Sequence, residues 1–95
     1  MIIQIIKFKS HLQEEEIVRI AKERAPQFKT IRGLLQKYYI KLGESGQYGG
    51  VYVWDSPESL KSYRESDLAA SIPEAYEIMG APQFEILDVF FQLRE

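Results

Sequence analysis

The chain has 95 residues, enough for one small domain and too few for two. Hydrophobic residues make up 45% of it and aromatic residues 13%, a share that excludes intrinsic disorder. Twelve Lys and Arg against 14 Asp and Glu give a net charge of −2, which argues against nucleic acid as a main partner because phosphate binding needs a concentrated basic surface. With no cysteine and one histidine, the chain cannot form disulfides and is a poor match for a zinc site, so we expect no metal.

The amino terminus predicts a strand over Ile2–Phe8, which is short and rich in β-branched residues. Lys7 interrupts the apolar run well before the roughly 20 residues that a membrane-spanning helix needs. The segment also lacks the basic start and the cleavage site of a signal peptide. We therefore expect a cytoplasmic protein without a membrane partner, and one domain over residues 1–95.

The first helix is predicted to follow this strand directly. Ser10 and Gln13 have the spacing of a capping box, with Ser10 as the N-cap. Pro26 removes a backbone donor, so the helix ends at Ala25 or continues with a kink to about Phe28. Its inner face is predicted from the helical spacing of four residues: Ile17, Ala21, Ala25 and Phe28.

Two aromatic and β-branched segments, Leu34–Leu42 and Gln47–Asp55, predict a pair of antiparallel strands. The four residues between them, Gly43-Glu44-Ser45-Gly46, are typical of a hairpin loop. Gly49-Gly50 inside the second strand predicts a β-bulge, with close approach of a ligand to the backbone as the alternative.

A second helix is predicted to begin at Ser56-Pro57-Glu58, with Ser56 as its N-cap and Leu60 and Tyr63 on its inner face. Ser66–Met79 is typical of helical pieces broken at Ile72-Pro73, because the residue before a proline resists helix. Gly80-Ala81-Pro82 is predicted to end this region, and Phe84–Leu93 to form the last strand.

The predicted order is βαββαβ, the pattern of an α+β ferredoxin-like fold with a four-stranded antiparallel sheet and both helices on one face. The first and last strands are apolar in both alternating positions, as expected for a sheet that is covered on both faces. A chain this short has helices for only one face. We therefore expect a homodimer in which two sheets pack together.

The segment Gly49-Gly50-Val51-Tyr52-Val53-Trp54-Asp55-Ser56, followed by a helix with Tyr63, resembles the mono-oxygenase families of the dimeric α/β-barrel superfamily. These families lie close to the antibiotic-biosynthesis monooxygenases. Gly33–Tyr39 is similar to their second strand, and Glu85–Val89 to their last. The likeness extends over nearly the whole chain in the order of elements.

The resemblance implies a dimer with a pocket between the helices and the sheet of each subunit. It also implies oxidation of polycyclic phenolic substrates by molecular oxygen with no metal or flavin, so no cofactor is expected. The deprotonated substrate supplies the electrons, and the protein binds, desolvates and orients it. Well-studied branches use an asparagine together with tryptophan, whereas this sequence contains no asparagine.

Four aromatic residues are the candidate substrate-binding group. Tyr52 and Trp54 share one face of a strand, Tyr39 lies on the neighbouring strand, and Tyr63 projects from the following helix. Such a row supplies an apolar pocket with a few directional hydrogen bonds, but it also fits plain core or a dimer contact. Strand periodicity does not decide which face meets the helices.

His11 is the candidate catalytic residue, because histidine is the only side-chain type whose unperturbed pKa lies near neutrality and because this residue follows the first strand. The alternative is an exposed position within the capping box. The leading hypothesis is a cofactor-independent monooxygenase-like enzyme that acts on a small aromatic or polycyclic phenolic substrate. The alternatives are a non-catalytic ligand-binding or dimerisation module of the same fold, favoured by the missing asparagine, and an isomerase or decarboxylase using a base and a polarising tyrosine.

Overall fold

A computed structural model describes residues 1–43 and 46–94 of the chain. The middle of the predicted hairpin loop, Glu44 and Ser45, lies outside the described residues. The elements follow in the order β1 (Ile2–Ser10), α1 (Glu14–Lys29), β2 (Leu34–Lys41), β3 (Gln47–Trp54), α2 (Pro57–Arg64), α3 (Asp67–Ala70), α4 (Ile72–Ala75) and β4 (Ile78–Asp88).

The four strands form one antiparallel sheet in the order β2-β3-β1-β4. This order and the two βαβ-type connections confirm the ferredoxin-like α+β fold that the sequence predicts. The predicted helix start at Ser56 is also confirmed, because its side chain accepts a hydrogen bond from the Ser59 N–H at 3.2 Å. The helical pieces after α2 break at Ser71, immediately before the predicted Ile72-Pro73.

The first helix begins later than predicted. Ser10 is the last residue of β1, and its hydroxyl donates to the Tyr76 carbonyl at 2.8 Å rather than capping the helix. Gln13 is the N-cap instead, and its backbone N–H donates to the Glu16 side chain. The helix continues past Pro26 to Lys29.

The last strand spans Ile78–Asp88 rather than Phe84–Leu93. A strand persists only where a neighbour offers hydrogen bonds, and β1 pairs with it from Ser10↔Ile78 to Ile2↔Asp88. The Gly80-Ala81-Pro82 segment lies at a register shift between Lys7 and Lys9. Proline has no backbone N–H to donate, and here it lies where the ladder is already interrupted. Proline and glycine therefore mark an irregularity within the strand and not its boundary.

The central pair β1 and β3 runs in unbroken register from Ile2↔Trp54 to Lys9↔Gln47. The bulge predicted at Gly49-Gly50 is absent from this pair, so that prediction was wrong. Gly49 serves a close backbone approach instead, since a Cβ added there would lie 2.1 Å from the Ile6 carbonyl oxygen.

The core lies on one face of the sheet, under the helices. It contains Ile2, Ile6, Ile17, Phe28, Tyr48, Tyr52, Trp54, Leu60, Tyr63, Ile72 and Tyr76. The Tyr48, Tyr52 and Trp54 row therefore faces the helices, which the alternation of the sequence left undecided. No helix of the described ranges is long and apolar enough to cross a membrane.

The opposite face of the sheet has an apolar centre, and no helix in the described part of the chain covers it. Half-buried aliphatic side chains lie at this centre, and at its edges Tyr38 is 56% and Leu87 48% exposed. The register also places Lys7, Gln36 and Glu85 on this side of the sheet. We call its apolar part the open face: Ile3, Ile5, Tyr38, Val51, Val53 and Leu87.

Gly49→Ala is expected to lower the free energy of unfolding by about 2 kcal/mol or more, because the new methyl group collides with backbone that cannot move without breaking the ladder. Chemical denaturation measures the loss. Gly43→Ala is the matched control, since a Cβ there meets nothing within 4 Å. Equal stability of the two variants would contradict the close approach.

Candidate functional site

Three of the predicted substrate-binding residues meet in one aromatic cluster under the helices. The ring centroids of Tyr52 and Trp54 are 6.2 Å apart in a stacked pair, and Tyr63 lies 5.5 Å from Tyr52 and 5.2 Å from Trp54. Phe28 of α1 adds a fourth ring at 6.4 Å from Tyr52. These separations are in the favourable range for aromatic pairs, so the cluster fixes the orientation of each ring.

Trp54 is the most deeply buried member of the cluster, with 0% of its surface exposed. Its indole N–H donates to the Gln4 side-chain oxygen at 3.0 Å, and Gln4 itself is 1% exposed. Because the one polar atom of Trp54 is already paired, a ligand gains no hydrogen bond from it. Trp54 supports the cluster from behind.

Tyr52 and Tyr63 share a hydrogen bond between their hydroxyl groups at 3.3 Å. Burial raises the pKa of Tyr52 far above its usual value, and the Tyr63 hydroxyl raises it further. Burial also raises the pKa of Tyr63. Both hydroxyls are therefore neutral at physiological pH and act as hydrogen-bonding groups rather than bases.

Lys37 extends from β2 into the same cluster, directly opposite Tyr52 in the strand pairing. Its Nζ lies 3.4 Å from the ring centre of Phe28, 4.4 Å from that of Tyr39 and 4.6 Å from that of Tyr52. Three rings at these distances partly replace the water that an ammonium group loses on burial. Burial lowers the pKa of Lys37 to about 7, and the Arg24 guanidinium lowers it in the same direction.

A small cavity of about 40 Å³, which we call the inner cavity, opens beside the Lys37 side chain. Its lining includes Lys37, Tyr39, Tyr48, Tyr52 and Tyr76. It shares Ile17, Tyr39, Ile40 and Tyr48 with the outer groove, a mostly apolar depression of about 300 Å³ between α1 and β2. Together they form a two-part site, a wide apolar entrance and a narrow end that Lys37 and four tyrosines help to line.

Tyr76, at the end of α4, lines the inner cavity and carries an unpaired polar atom. The residue is 5% exposed, and its hydroxyl has no hydrogen-bond partner among residues 1–43 and 46–94. Burial raises the pKa of Tyr76 to about 12. Buried hydroxyls are nearly always paired, so this neutral hydroxyl is an unsatisfied donor next to the cavity.

Arg24 of α1 lies near the aromatic cluster, on the side of the helices. Its guanidinium donates to the Ser71 hydroxyl at 2.8 Å, which links α1 to the turn between α3 and α4. This bond keeps the positive charge of Arg24 close to the aromatic cluster, where it acts on Lys37 and Tyr39. Arg24 thereby contributes to the electrostatics of the site as well as to its shape.

His11 lies apart from these residues, in the turn after β1. Its Nε2 is 2.9 Å from a Glu77 carboxylate oxygen, and its side chain is 63% exposed. It belongs to the lining of neither the inner cavity nor the outer groove. His11 therefore lies outside the aromatic cluster, and its role in proton transfer remains a prediction.

Two candidate residues escaped the sequence reasoning. Lys37 carried a usable signal, because it lies two residues before Tyr39 and so shares its strand face. Tyr76 carried none, since it ends a short helical piece whose position over the sheet depends on tertiary packing. Within the described ranges no cluster of three or more His, Asp or Glu side chains has the geometry to hold a metal ion.

The four-stranded antiparallel sheet, with its helices packed on one face over an aromatic cluster, defines a ferredoxin-like α+β protein. A family model described as "Putative mono-oxygenase ydhR" matches residues 2–93, so the chain belongs to this family. No curated protein matches the chain.

Solved structures share the fold at low sequence identity. A protein of unknown function from Nitrosomonas europaea, NE2512, is 13% identical with a TM-score of 0.78, covering 99% of this chain and 93% of that one. SnoaB of Streptomyces nogalater, a cofactor-independent oxygenase, is 12% identical with a TM-score of 0.77 over 99% of this chain and 97% of its own. A structure from Caulobacter crescentus, described as a putative antibiotic biosynthesis monooxygenase, is 23% identical with a TM-score of 0.77, covering 95% and 90%.

Lys37→Met is expected to stabilise the protein, and by about 2 kcal/mol more at pH 6 than at pH 9. The folded-state pKa of Lys37 lies below its unfolded value, so folding releases a proton between about pH 7 and 10.5, and the wild type gains stability as pH rises through that window. Methionine keeps the volume and removes this dependence. Denaturation at both pH values measures it, and a wild-type minus variant difference that does not change with pH would contradict the burial of the amine.

Proposed function

We propose that this protein is a cofactor-independent monooxygenase-like enzyme that acts on a small aromatic or polycyclic phenolic substrate. The observation that carries the proposal is the two-part site, in which an apolar groove leads to an inner cavity lined by Lys37 and tyrosine side chains. Membership of a mono-oxygenase family and the shared fold with a cofactor-independent oxygenase support it.

In this proposal the substrate ring lies in the outer groove and its hydroxyl group enters the inner cavity. Tyr39 and Tyr52 contact the substrate, because both line the inner cavity and Tyr39 lines the groove as well. Trp54 and Tyr63 are positioning residues that hold the ring of Tyr52 in place through stacking and the hydroxyl pair. The four predicted aromatic residues thus divide into two that bind and two that support.

The reaction needs an ionised, electron-rich substrate and an environment without water. Loss of a proton from the phenol or from its enol tautomer leaves an anion that can transfer electrons to molecular oxygen. For a ring methylene oxidised to a ketone, one oxygen atom enters the substrate and the other leaves as water, and the substrate supplies all four electrons. The protein then contributes orientation and desolvation.

Oxygen uptake in metal-chelated buffer with anthrone as the probe tests the activity. We expect one O₂ consumed for each anthraquinone formed, and a loss of about tenfold or more in kcat/KM for Tyr39→Leu because the substrate loses its contact at the junction of groove and cavity. Ser62→Ala, an exposed position on α2, is the control. If the protein does not raise the rate of oxygen uptake above that of anthrone alone, yet anthrone quenches Trp54 fluorescence saturably, the protein binds the probe without oxidising it, and the proposed activity is contradicted.

That last outcome would support a second candidate function, a non-catalytic ligand-binding module of the same fold. Two observations favour it specifically. The chain contains no asparagine, and the indole N–H of Trp54 is already bonded to Gln4. In such a module the same groove would bind an aromatic ligand without turnover.

The proposed role of His11 needs its own test, because this residue lies at the surface beside Glu77. A role in proton transfer requires that His11→Ala lowers kcat for anthrone while KM stays the same. An unchanged kcat would remove His11 from the mechanism, and the wild-type pH profile of kcat would then owe nothing to the imidazole group.

The proposal includes a homodimer formed through the open face, which is apolar and lacks a covering helix among the described elements. It also places the protein in the cytoplasm, in keeping with a small chain that has no cysteine for a disulfide.

Sedimentation at micromolar concentration is expected to give twice the chain mass of 11.1 kDa. Val53→Lys, near the centre of the open face, is expected to raise the dimer dissociation constant by about 100-fold or more, because its strand partners Ile3 and Gln36 offer the buried charge no carboxylate. Ser62→Lys is the charge-matched control on the far side of the molecule. A wild type that sediments as a monomer would contradict the dimer.

A further inference from the structure

We propose that Lys37 and Tyr76 form an oxyanion-binding end of the site, where the neutral Lys37 amine takes the proton from the acidic hydroxyl of an aromatic ligand. The ligand O–H bond breaks, an N–H bond forms on Nζ, and the ammonium–oxyanion pair stays in the inner cavity. Tyr76 donates its free hydroxyl hydrogen to the same oxygen. The inference rests on the proposed function only for the phenolic class of ligand, since no oxygen chemistry enters this step.

The first argument is the enclosure of the Lys37 amine. Rings of Phe28, Tyr39 and Tyr52 lie within 4.6 Å of Nζ. Lys37 lines the inner cavity and also a groove of about 310 Å³ beside Phe28 and Lys29. Tyr76 lines the inner cavity and not that groove, so a ligand atom that meets both Lys37 and Tyr76 lies in the inner cavity.

The second argument is charge. The groups that face Lys37 are Arg24 from α1, Tyr39 from its own strand, Tyr48 and Tyr52 from β3, and Tyr76 after α4. Among the described residues that line the inner cavity there is no carboxylate. A protonated Lys37 thus has no protein counter-ion in the cavity, and a ligand oxyanion supplies the missing charge.

The protonation state of Lys37 agrees with this role. Burial lowers its pKa to about 7, so a large share of the amine is neutral near physiological pH and can accept a proton. The pKa of Tyr76 is raised, so this hydroxyl keeps its hydrogen and can donate it. One group of the pair therefore accepts a proton and the other donates a hydrogen bond, as required for binding an ionising phenol.

The unpaired hydroxyl of Tyr76 is the third argument. It is buried without a hydrogen-bond partner in the described part of the chain, which is costly unless a ligand or water completes it. The Ser10 hydroxyl holds the Tyr76 backbone by its 2.8 Å bond to the carbonyl. The side chain is therefore anchored at its base and unsatisfied at its tip.

Size selects the ligand. About 40 Å³ is enough for a hydroxyl group or one or two waters, but not for a ring. The adjoining outer groove of about 300 Å³ is large enough for two or three fused rings. The site therefore fits a flat aromatic molecule whose acidic hydroxyl projects from the ring edge.

The test uses 4-nitrophenol, whose phenolate absorbs visible light while the neutral phenol does not. At a pH below the pKa of the free phenol, wild-type protein is expected to bind it with the appearance of phenolate absorbance. Lys37→Met should bind at least tenfold more weakly, and only as the neutral phenol. Tyr76→Phe should still ionise the probe but bind it three- to tenfold more weakly, because one hydrogen bond is lost.

Lys61→Met is the control, since Lys61 is an exposed lysine of α2 that lines neither the inner cavity nor the outer groove. It should behave as the wild type. 4-Nitroanisole has no acidic proton, so its affinity should be the same for the wild type and for Lys37→Met. Circular dichroism checks that each variant is folded. Lys37→Arg carries a charge that cannot be removed, so it should bind the phenolate and release the phenolic proton to solvent, whereas neutral Lys37 keeps that proton and a pH indicator detects no release.

Binding of the neutral phenol by the wild type, or ionisation that survives in Lys37→Met, would overturn the inference. The proposed function fails separately. Ionised probe without oxygen uptake on anthrone leaves the Lys37 assignment intact and removes the oxygenase, whereas undiminished oxygen uptake in Lys37→Met keeps the oxygenase and removes Lys37 from it.

Discussion

The unbroken pairing of β1 with β3 determines which side chains lie under the helices and line the candidate site. Because side chains alternate across a strand, the register from Ile2↔Trp54 to Lys9↔Gln47 places Gln4 beside Trp54 and Tyr52 toward the helices. A slip of one residue would turn the same tyrosine and tryptophan to the open face. Gly49 permits the close contact of the two backbones on which this register depends.

The sequence carried the strand order and the second helix in local signals. Ser56-Pro57 is an explicit helix start, and the two aromatic strands flank a glycine-bounded loop, so both follow from short-range chemistry. The ends of β4 do not, because they depend on how far β1 extends on the other side of the ladder. Gly80 and Pro82 look like terminators in sequence and act as a bulge in the sheet.

The candidate site shows the same division. Alternation grouped Tyr52 with Trp54, and that grouping holds in the cluster. It could not show that Trp54 is wholly buried or that its N–H is bonded to Gln4, fifty positions away in the chain. Lys37 was visible only as a neighbour of Tyr39. Its burial needs Phe28 from the far end of α1, a contact that no local pattern records.

The segment after β4 has a consequence for how the chain reaches its final state. Beyond Asp88 the side chains of Phe90, Phe91 and Leu93 are 98%, 71% and 80% exposed. A single subunit therefore exposes an apolar tail as well as the apolar open face. Uncovered surfaces of this kind make a chain prone to aggregation, so concentration and handling bear directly on how long the folded protein survives in solution.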